Sequence, residues 1–201
     1  MKYSTRIVSG LILILMSSLT MASVKPGDKA PDFQLKDSNG KSVQLSDYKG
    51  KTVVLEWTNY DCPFVKKHYE SSNIPHLQKT YTPESVIWLS IFSSAPGKPG
   101  NYPGNALNKK AENMNSKATA LLRDEDGKVG KAYGAKVTPQ FVIIDDKGIV
   151  QYIGAIDSIP TTDMKDIIKA KNYVHRSLEA MKAKKPIKEP ATQPYGCSVK
   201  Y

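Results

Sequence analysis

The segment Val53-Val54-Leu55-Glu56-Trp57-Thr58-Asn59-Tyr60-Asp61-Cys62-Pro63 constrains this chain more than any other. An apolar run of strand composition enters a short polar turn, and a cysteine stands where a helix begins. Proline directly after it suits the first helical position, whose N–H has no intrahelical partner in any case. A thiol at a helix N-terminus faces unpaired backbone N–H groups and the positive end of the macrodipole. Both favour the thiolate, which is the nucleophilic form. Cys62 is therefore expected to be a reactive thiol held on a rigid element. The competing expectation is a small buried apolar side chain, since free cysteine is often buried.

Residues 1–22 read as a signal peptide. Lys2 and Arg6 make a positive start, Ile7, Val8 and Leu11 to Leu15 a short apolar centre, and Thr20-Met21-Ala22 a cleavage site with small residues. The apolar run is short for a membrane span, so no stable membrane insertion is expected after cleavage; an uncleaved anchor is the alternative. Export to the periplasm or beyond puts the remaining chain in an oxidising compartment. There its two cysteines, Cys62 and Cys197, are able to pair. The net charge of +10 comes largely from lysines in a late helix and the tail. Arg123 and Arg176 are the arginines that follow residue 22, too few for base recognition, so a nucleic-acid partner is not expected.

Along the chain, Ala30–Leu35 and Gly40–Leu45 alternate like a hairpin, and Thr52–Trp57 reads as the first central strand. Pro63 to about Tyr81 is expected to be a helix bent at Pro75. Val86–Phe92 is apolar enough for a strand covered on both faces. A helix over Asn105–Lys117, a strand over Ala118–Leu122 and a helix around Lys128–Tyr133 follow. A hairpin joins Gln140–Asp145 to Ile149–Ile153 across Asp146-Lys147-Gly148. Apolar residues from Met164 to Met181 at helical spacing predict a helix over 162–182. Residues 183–201 hold prolines and no helical stripe, and form an arm carrying Cys197. The pattern is α/β, one domain over 24–182 with a mixed central sheet flanked by helices, an N-terminal β-hairpin and a C-terminal arm.

The set Ala-Pro-Asp-Phe-Gln-Leu (30–35), Gly-Lys-Ser-Val-Gln-Leu-Ser-Asp-Tyr-Lys-Gly-Lys (40–51), Cys62-Pro63-Phe64-Val65, Val137-Thr138-Pro139 and Phe141–Asp145 resembles the thioredoxin-fold redoxins. That superfamily includes the alkyl hydroperoxide reductase/thiol-specific antioxidant proteins, and the chain is most similar to its peroxiredoxin-like group. The resemblance covers roughly residues 26–175 and implies a thioredoxin-like fold with a working thiol and no cofactor. It implies partners that are protein thiols or disulfides, or peroxide, together with an external reductant. It also implies a cis peptide bond at Thr138–Pro139, where bared backbone pairs with a substrate chain; an ordinary trans turn is the alternative.

Two branches of the superfamily make different demands. Peroxiredoxins carry a Thr or Ser three residues before the cysteine, where this chain has Asn59, and an Arg before the Phe-Val-Ile-Asp strand, where it has Thr138. A Cys-x-x-Cys oxidoreductase carries its second thiol where this chain has Val65. Asn59 remains able to donate a hydrogen bond, and Arg123 to approach from another strand. Cys197, in Pro194-Tyr195-Gly196-Cys197-Ser198, has three readings: a resolving thiol on a mobile arm, half of a static disulfide, or an independent thiol. Glu56 is expected either to shuttle a proton beneath the thiol or to face a solvated groove. Asp61 is expected to cap the helix. His68, most of two turns past Cys62, is expected on another part of the helix surface, and no metal site is expected. The favoured function is a thiol–disulfide oxidoreductase using Cys62, with Thr138, Pro139 and Asn59 holding substrate. A thiol peroxidase resolved by Cys197 and a non-catalytic binding module are the alternatives.

Overall fold

Val53–Trp57 (β3) is buried along its whole length because every side chain alternates between two covered faces. Val53, Leu55 and Trp57 enter one apolar layer, and Val54 enters the other. The computed structural model describes residues 23–201; the signal segment expected at 1–22 lies outside them. Around β3 the chain builds Gln34–Asp37 (β1), Ser42–Gln44 (β2), Ile87–Phe92 (β4), Ala120–Arg123 (β5), Gln140–Ile144 (β7) and Val150–Gly154 (β8) into one sheet of order β2-β1-β5-β4-β3-β7-β8. β3, β4 and β5 run parallel, and the flanking pairs are antiparallel, so the sheet is mixed as the sequence implied. Two further short strands, Val137–Thr138 (β6) and Cys197–Ser198 (β9), pair outside this sheet.

Helices Pro63–Glu70 (α1), Asn73–Tyr81 (α2), Gly104–Asn113 (α3), Lys128–Tyr133 (α4) and Tyr173–Lys182 (α5) supply the covering layers. The expected bend at Pro75 lies elsewhere. Ser72 takes a left-handed conformation (φ 62°) that separates α1 from α2, while Pro75 sits inside α2's first turn, where no N–H is needed. The helix expected over 162–182 is also shorter. A single turn at Met164–Asp166, capped by the Asp163 side chain, gives way to irregular chain, and Asn172 caps a new start at Tyr173. The break follows from pairing of the intervening backbone: Tyr173 N–H donates to Ile156 O (2.8 Å) and Ser158 N–H to Lys171 O (3.1 Å). Met164 and Ile168 are consequently exposed rather than stacked on a helix stripe.

Glu56 fixes the helices to the sheet. Its carboxyl is fully buried and accepts from Tyr69 on α1 (2.8 Å), Trp88 Nε1 (2.7 Å) and Ser90 Oγ (3.0 Å) on β4, with Gln78 on α2 at 3.5 Å. The solvated-groove expectation for Glu56 is thus overturned: α1 and α2 close over it. Burial pushes its carboxyl above the usual range, against the pull of those donors. Replacement of Glu56 by Ala should cost about 3 kcal/mol or more, because it orphans several buried donors at once. Glu56→Gln should cost less, since it keeps an acceptor and the volume. Urea unfolding of the two variants distinguishes them, and equal losses would remove Glu56 as the tie between layers.

Candidate active site around Cys62 and the C-terminal arm

The turn after β3 delivers Cys62 to the N-cap of α1, with extended backbone (φ −72°, ψ 127°) and Pro63 in the first helical turn. Cys62 N–H closes the turn on Asn59 O at 2.9 Å, and Lys66 N–H starts the helix on Cys62 O at 2.9 Å. The thiol is 2% exposed. Asp61 does not cap the helix. Its carboxylate is drawn outward to Lys110 Nζ (2.6 Å) and Tyr102 OH (2.8 Å). Its slight burial would raise its pKa, but these partners outweigh that and hold it below the usual range.

Across from Cys62 the Thr138–Pro139 bond is cis, and the Thr138 carbonyl lies 3.3 Å from Cys62 Sγ. On this edge sits the C-terminal arm. Thr138 is opposite Cys197 and Val137 opposite Ser198 in antiparallel register, and Val199 N–H donates to Lys136 O at 3.0 Å. This register brings Cys197 Sγ to 2.7 Å from Cys62 Sγ, with both cysteines free thiols. Beyond it, Ala95 N–H donates to Lys200 O (2.8 Å) and Tyr201 OH to Ala135 O (2.7 Å). Burial, the contact with Cys62 and the charge there push the Cys197 thiol up to about 12. Gly196 is required at its position. Its φ is 134°, and an added Cβ would lie 1.9 Å from the Thr138 carbonyl oxygen.

The arm is anchored upstream by side chains that sequence reasoning missed. Tyr195 OH donates to Asp157 Oδ1 and lies 3.2 Å from His68 Nε2, while its ring meets Phe64 edge-on at 5.8 Å. Lys67 Nζ lies 3.6 Å from Asp157 Oδ2 and donates to Ile159 O at 3.0 Å. His68 is therefore not on an outward surface; it is fully buried between α1 and the arm. Burial and the neighbouring Lys67 push it down to about 3. Thr192 Oγ1 adds contacts to Tyr152 OH (2.6 Å) and Ala155 N–H (3.0 Å). The available signal was a basic pair, Lys67-His68, late in the helix that Cys62 begins, and a tyrosine two residues before the second cysteine.

The other expected residues are not assembled at the sulfur. The Asn59 side chain serves the turn, accepting from Asp61 N–H (2.9 Å) and Tyr102 OH (2.8 Å) and donating to Pro99 O (3.5 Å). Arg123 pairs with Glu125. Glu56 bonds to neither thiol. Among the described residues, Cys62 Sγ has hydrogen-bonding contacts to Thr138 O and Cys197 Sγ alone. Among the same residues, no group of three or more metal-ligating side chains gathers, and no helix is long and apolar enough to cross a membrane.

Residues 25–170 match the Redoxin family, a span that stops short of the arm. The chain is similar to a thiol-disulfide oxidoreductase, ResA of Bacillus subtilis, at 26% identity over 71% of this chain and 79% of that protein. It is similar to the chloroplastic peroxiredoxin Q of Triticum aestivum at 32% identity over 68% of this chain and 62% of the relative, just under two thirds of its length. Among solved structures, a putative thiol:disulfide interchange protein DsbE of Chlorobium tepidum superposes with a TM-score of 0.54 at 26% identity, covering 65% of this chain and 85% of that one.

Two outcomes test this geometry. Gly196→Ala should unseat β9, and iodoacetamide labelling of Cys62 should then speed by about tenfold, the factor expected from 1.4 kcal/mol of strain; unchanged labelling would mean that the arm does not shield the thiol. The second concerns acid. Between 6.5 and about 3 the unfolded chain takes up a proton at His68 that the folded chain excludes, so stability is full above that window and falls as pH drops through it. The thermal midpoint should decline across that range, and His68→Gln should flatten the decline.

Proposed function

The chain belongs to the Redoxin family and is an oxidoreductase with a thioredoxin-like fold, and from that premise we propose an exported thiol–disulfide oxidoreductase in which Cys62 is the nucleophile and Cys197 resolves. An oxidoreductase identity leaves no room for the non-catalytic binding module. The observation that carries the reading is the 2.7 Å approach of the two sulfurs at the Thr138–Pro139 edge. Export rests on the n-region, the apolar centre and Thr20-Met21-Ala22, and it suits a cysteine pair that cycles through a disulfide.

In this reading the Cys62 thiolate attacks one sulfur of a partner disulfide; that bond breaks, and the second partner sulfur leaves with the electron pair as a thiolate. Cys197 then attacks Cys62 in the mixed disulfide, giving its proton to the released thiolate. The bond from Cys62 to the partner breaks, the partner's remaining sulfur leaves with the electron pair as a thiolate that takes a proton from water, and the protein holds a Cys62–Cys197 disulfide, which an external thiol reductant returns to the starting state as it is itself oxidised to a disulfide. Two of the three causes that hold Cys197 protonated are its contact with Cys62 and the charge there, after burial. The first attack removes the contribution of Cys62 and leaves burial, the largest cause, in place while the arm stays docked. Thr138 and Pro139 form the binding edge, Asn59 holds the turn that presents the thiol, and Glu56 anchors α1 rather than relaying its proton.

A peroxidase uses the same pair. The Cys62 thiolate would attack one peroxide oxygen, the O–O bond would break with the other oxygen leaving as an alcohol or water after taking a proton, and Cys197 would condense with the Cys62 sulfenic acid, releasing water. Its support is the similarity to peroxiredoxin Q and the proximity of the two thiols. It ranks second because the Asn59 amide and the Arg123 guanidinium, the side-chain donors available for the peroxide oxygens, are engaged elsewhere.

With a disulfide-bonded protein substrate, Cys197→Ser should accumulate a mixed disulfide on Cys62, the intact chain should pass to the Cys62–Cys197 disulfide, and Cys62→Ser should do neither; mass spectrometry reads all three. Peroxide consumption faster than disulfide turnover, abolished by Cys62→Ser, would reverse the ranking. N-terminal sequencing of the protein from exported fractions should begin near Ser23; a start at Met1 would remove the export proposal.

A further inference from the structure

Cys62 is enclosed, and the arm demonstrates how a second sulfur reaches it: as an extended strand on β6, with its cysteine opposite Thr138. That register fixes what surrounds the incoming cysteine. The residue before it must be glycine, because the Thr138 carbonyl fills the space a Cβ would need. The residue two before it drops its side chain into a hollow formed by Phe64, Lys67, His68 and Asp157, where Tyr195 sits. This hollow is unusual for a part that only packs. It buries a lysine, a histidine and a carboxylate, which is costly unless each is fully satisfied, and Asp157 Oδ2 has no hydrogen-bond partner despite its burial. Lys67 approaches that oxygen only to 3.6 Å.

We infer that the Tyr195 hollow is the recognition pocket for the partner protein, which docks an extended segment with a hydroxylated aromatic residue two places before its reacting cysteine and glycine directly before it. The inference rests on the thiol–disulfide reading above and names the partner class for it. The arm is the chain's own copy of that ligand, and a partner enters by exchanging with it. The same edge cannot pair with both, since each strand uses the Val137 and Thr138 backbone. A half-buried aromatic ring with its hydroxyl satisfied is the kind of anchor that contributes strongly to short interfaces, while the two-residue strand pairing supplies register.

The probe is a synthetic peptide with the sequence of residues 192–201, its cysteine capped as a mixed disulfide with thionitrobenzoate. Cys62 attacks the peptide sulfur, the capping disulfide breaks, and thionitrobenzoate leaves as a coloured thiolate, so the exchange needs no other oxidant. With full-length Cys197→Ser, the peptide should form its adduct at least about tenfold faster than versions with Tyr→Ala or Gly→Ala, the loss expected for an anchor residue. Adding Tyr195→Ala to the protein should loosen the arm and empty the hollow, speeding every peptide through the freed edge and the tyrosine peptide the most. Equal rates for all peptides would overturn the pocket, and this comparison needs no variant beyond Cys197→Ser. An unchanged tyrosine-peptide rate after Tyr195→Ala would overturn exchange with the arm. Dithiobis-nitrobenzoate, too small to need the pocket, separates the two levels: if it labels Cys62 while the peptides show no preference, only the pocket fails. If it does not label Cys62 in any variant, the redox reading fails and the inference with it.

Discussion

Two residues of β9 laid against two residues of β6 hold the second sulfur at the first. A pairing that short is not stable alone. It persists because the chain on both sides is tied down: Thr192 and Tyr195 before it, Lys200 and Tyr201 after it. Each ordered residue costs about 1 kcal/mol in backbone entropy, and each hydrogen bond returns about 1 kcal/mol. The arm's bonds and its ordering cost are therefore of the same size, and the packing of the half-buried Tyr195 ring against Phe64 and Lys67 tips the balance. An arm held by such a margin suits the proposed exchange, in which Cys197 alternates between contact and release.

The interior beneath the site is arranged so that this movement need not disturb the fold. Glu56, buried with donors from α1 and β4, ties the last turn of the helix that Cys62 begins to the sheet. The turn between them is locked by the Asn59 side chain and Tyr102. The nucleophile thus stands on rigid elements, and in the proposed cycle the partner that moves is the arm. The Cys197 thiol is pushed up first by burial beneath the arm and then by its contact with Cys62.

Much of this was legible in the chain. The run from Val53 to Trp57, the turn, and Cys62-Pro63 specify their local structure through short-range rules, and the α/β alternation specifies a mixed sheet. What was not legible depended on contacts between distant segments. The helix expected over 162–182 fails because residues 156–158 pair with 171–173, a tertiary demand that periodicity cannot register. Glu56 had the right strand parity, but whether its face met solvent depended on where α1 and α2 lay. Residues 183–201 read as a loose arm because prolines and lysines carry no apolar stripe; its docking depends on single side chains, Tyr195 and Tyr201, finding partners 38 to 127 residues away in sequence. His68 was assigned outward for the same reason, since its cover comes from that arm.

The central claim is that Cys62 and Cys197 of one chain form a working pair. It is tested most directly by equilibrating the protein in glutathione redox buffers over a wide range of protein concentration, quenching by alkylation, and mapping disulfides by mass spectrometry. The account predicts a Cys62–Cys197 disulfide within one chain, whose fraction depends on the buffer and not on protein concentration. Disulfides between chains that grow with concentration, or Cys197 remaining free while Cys62 is oxidised, would contradict it.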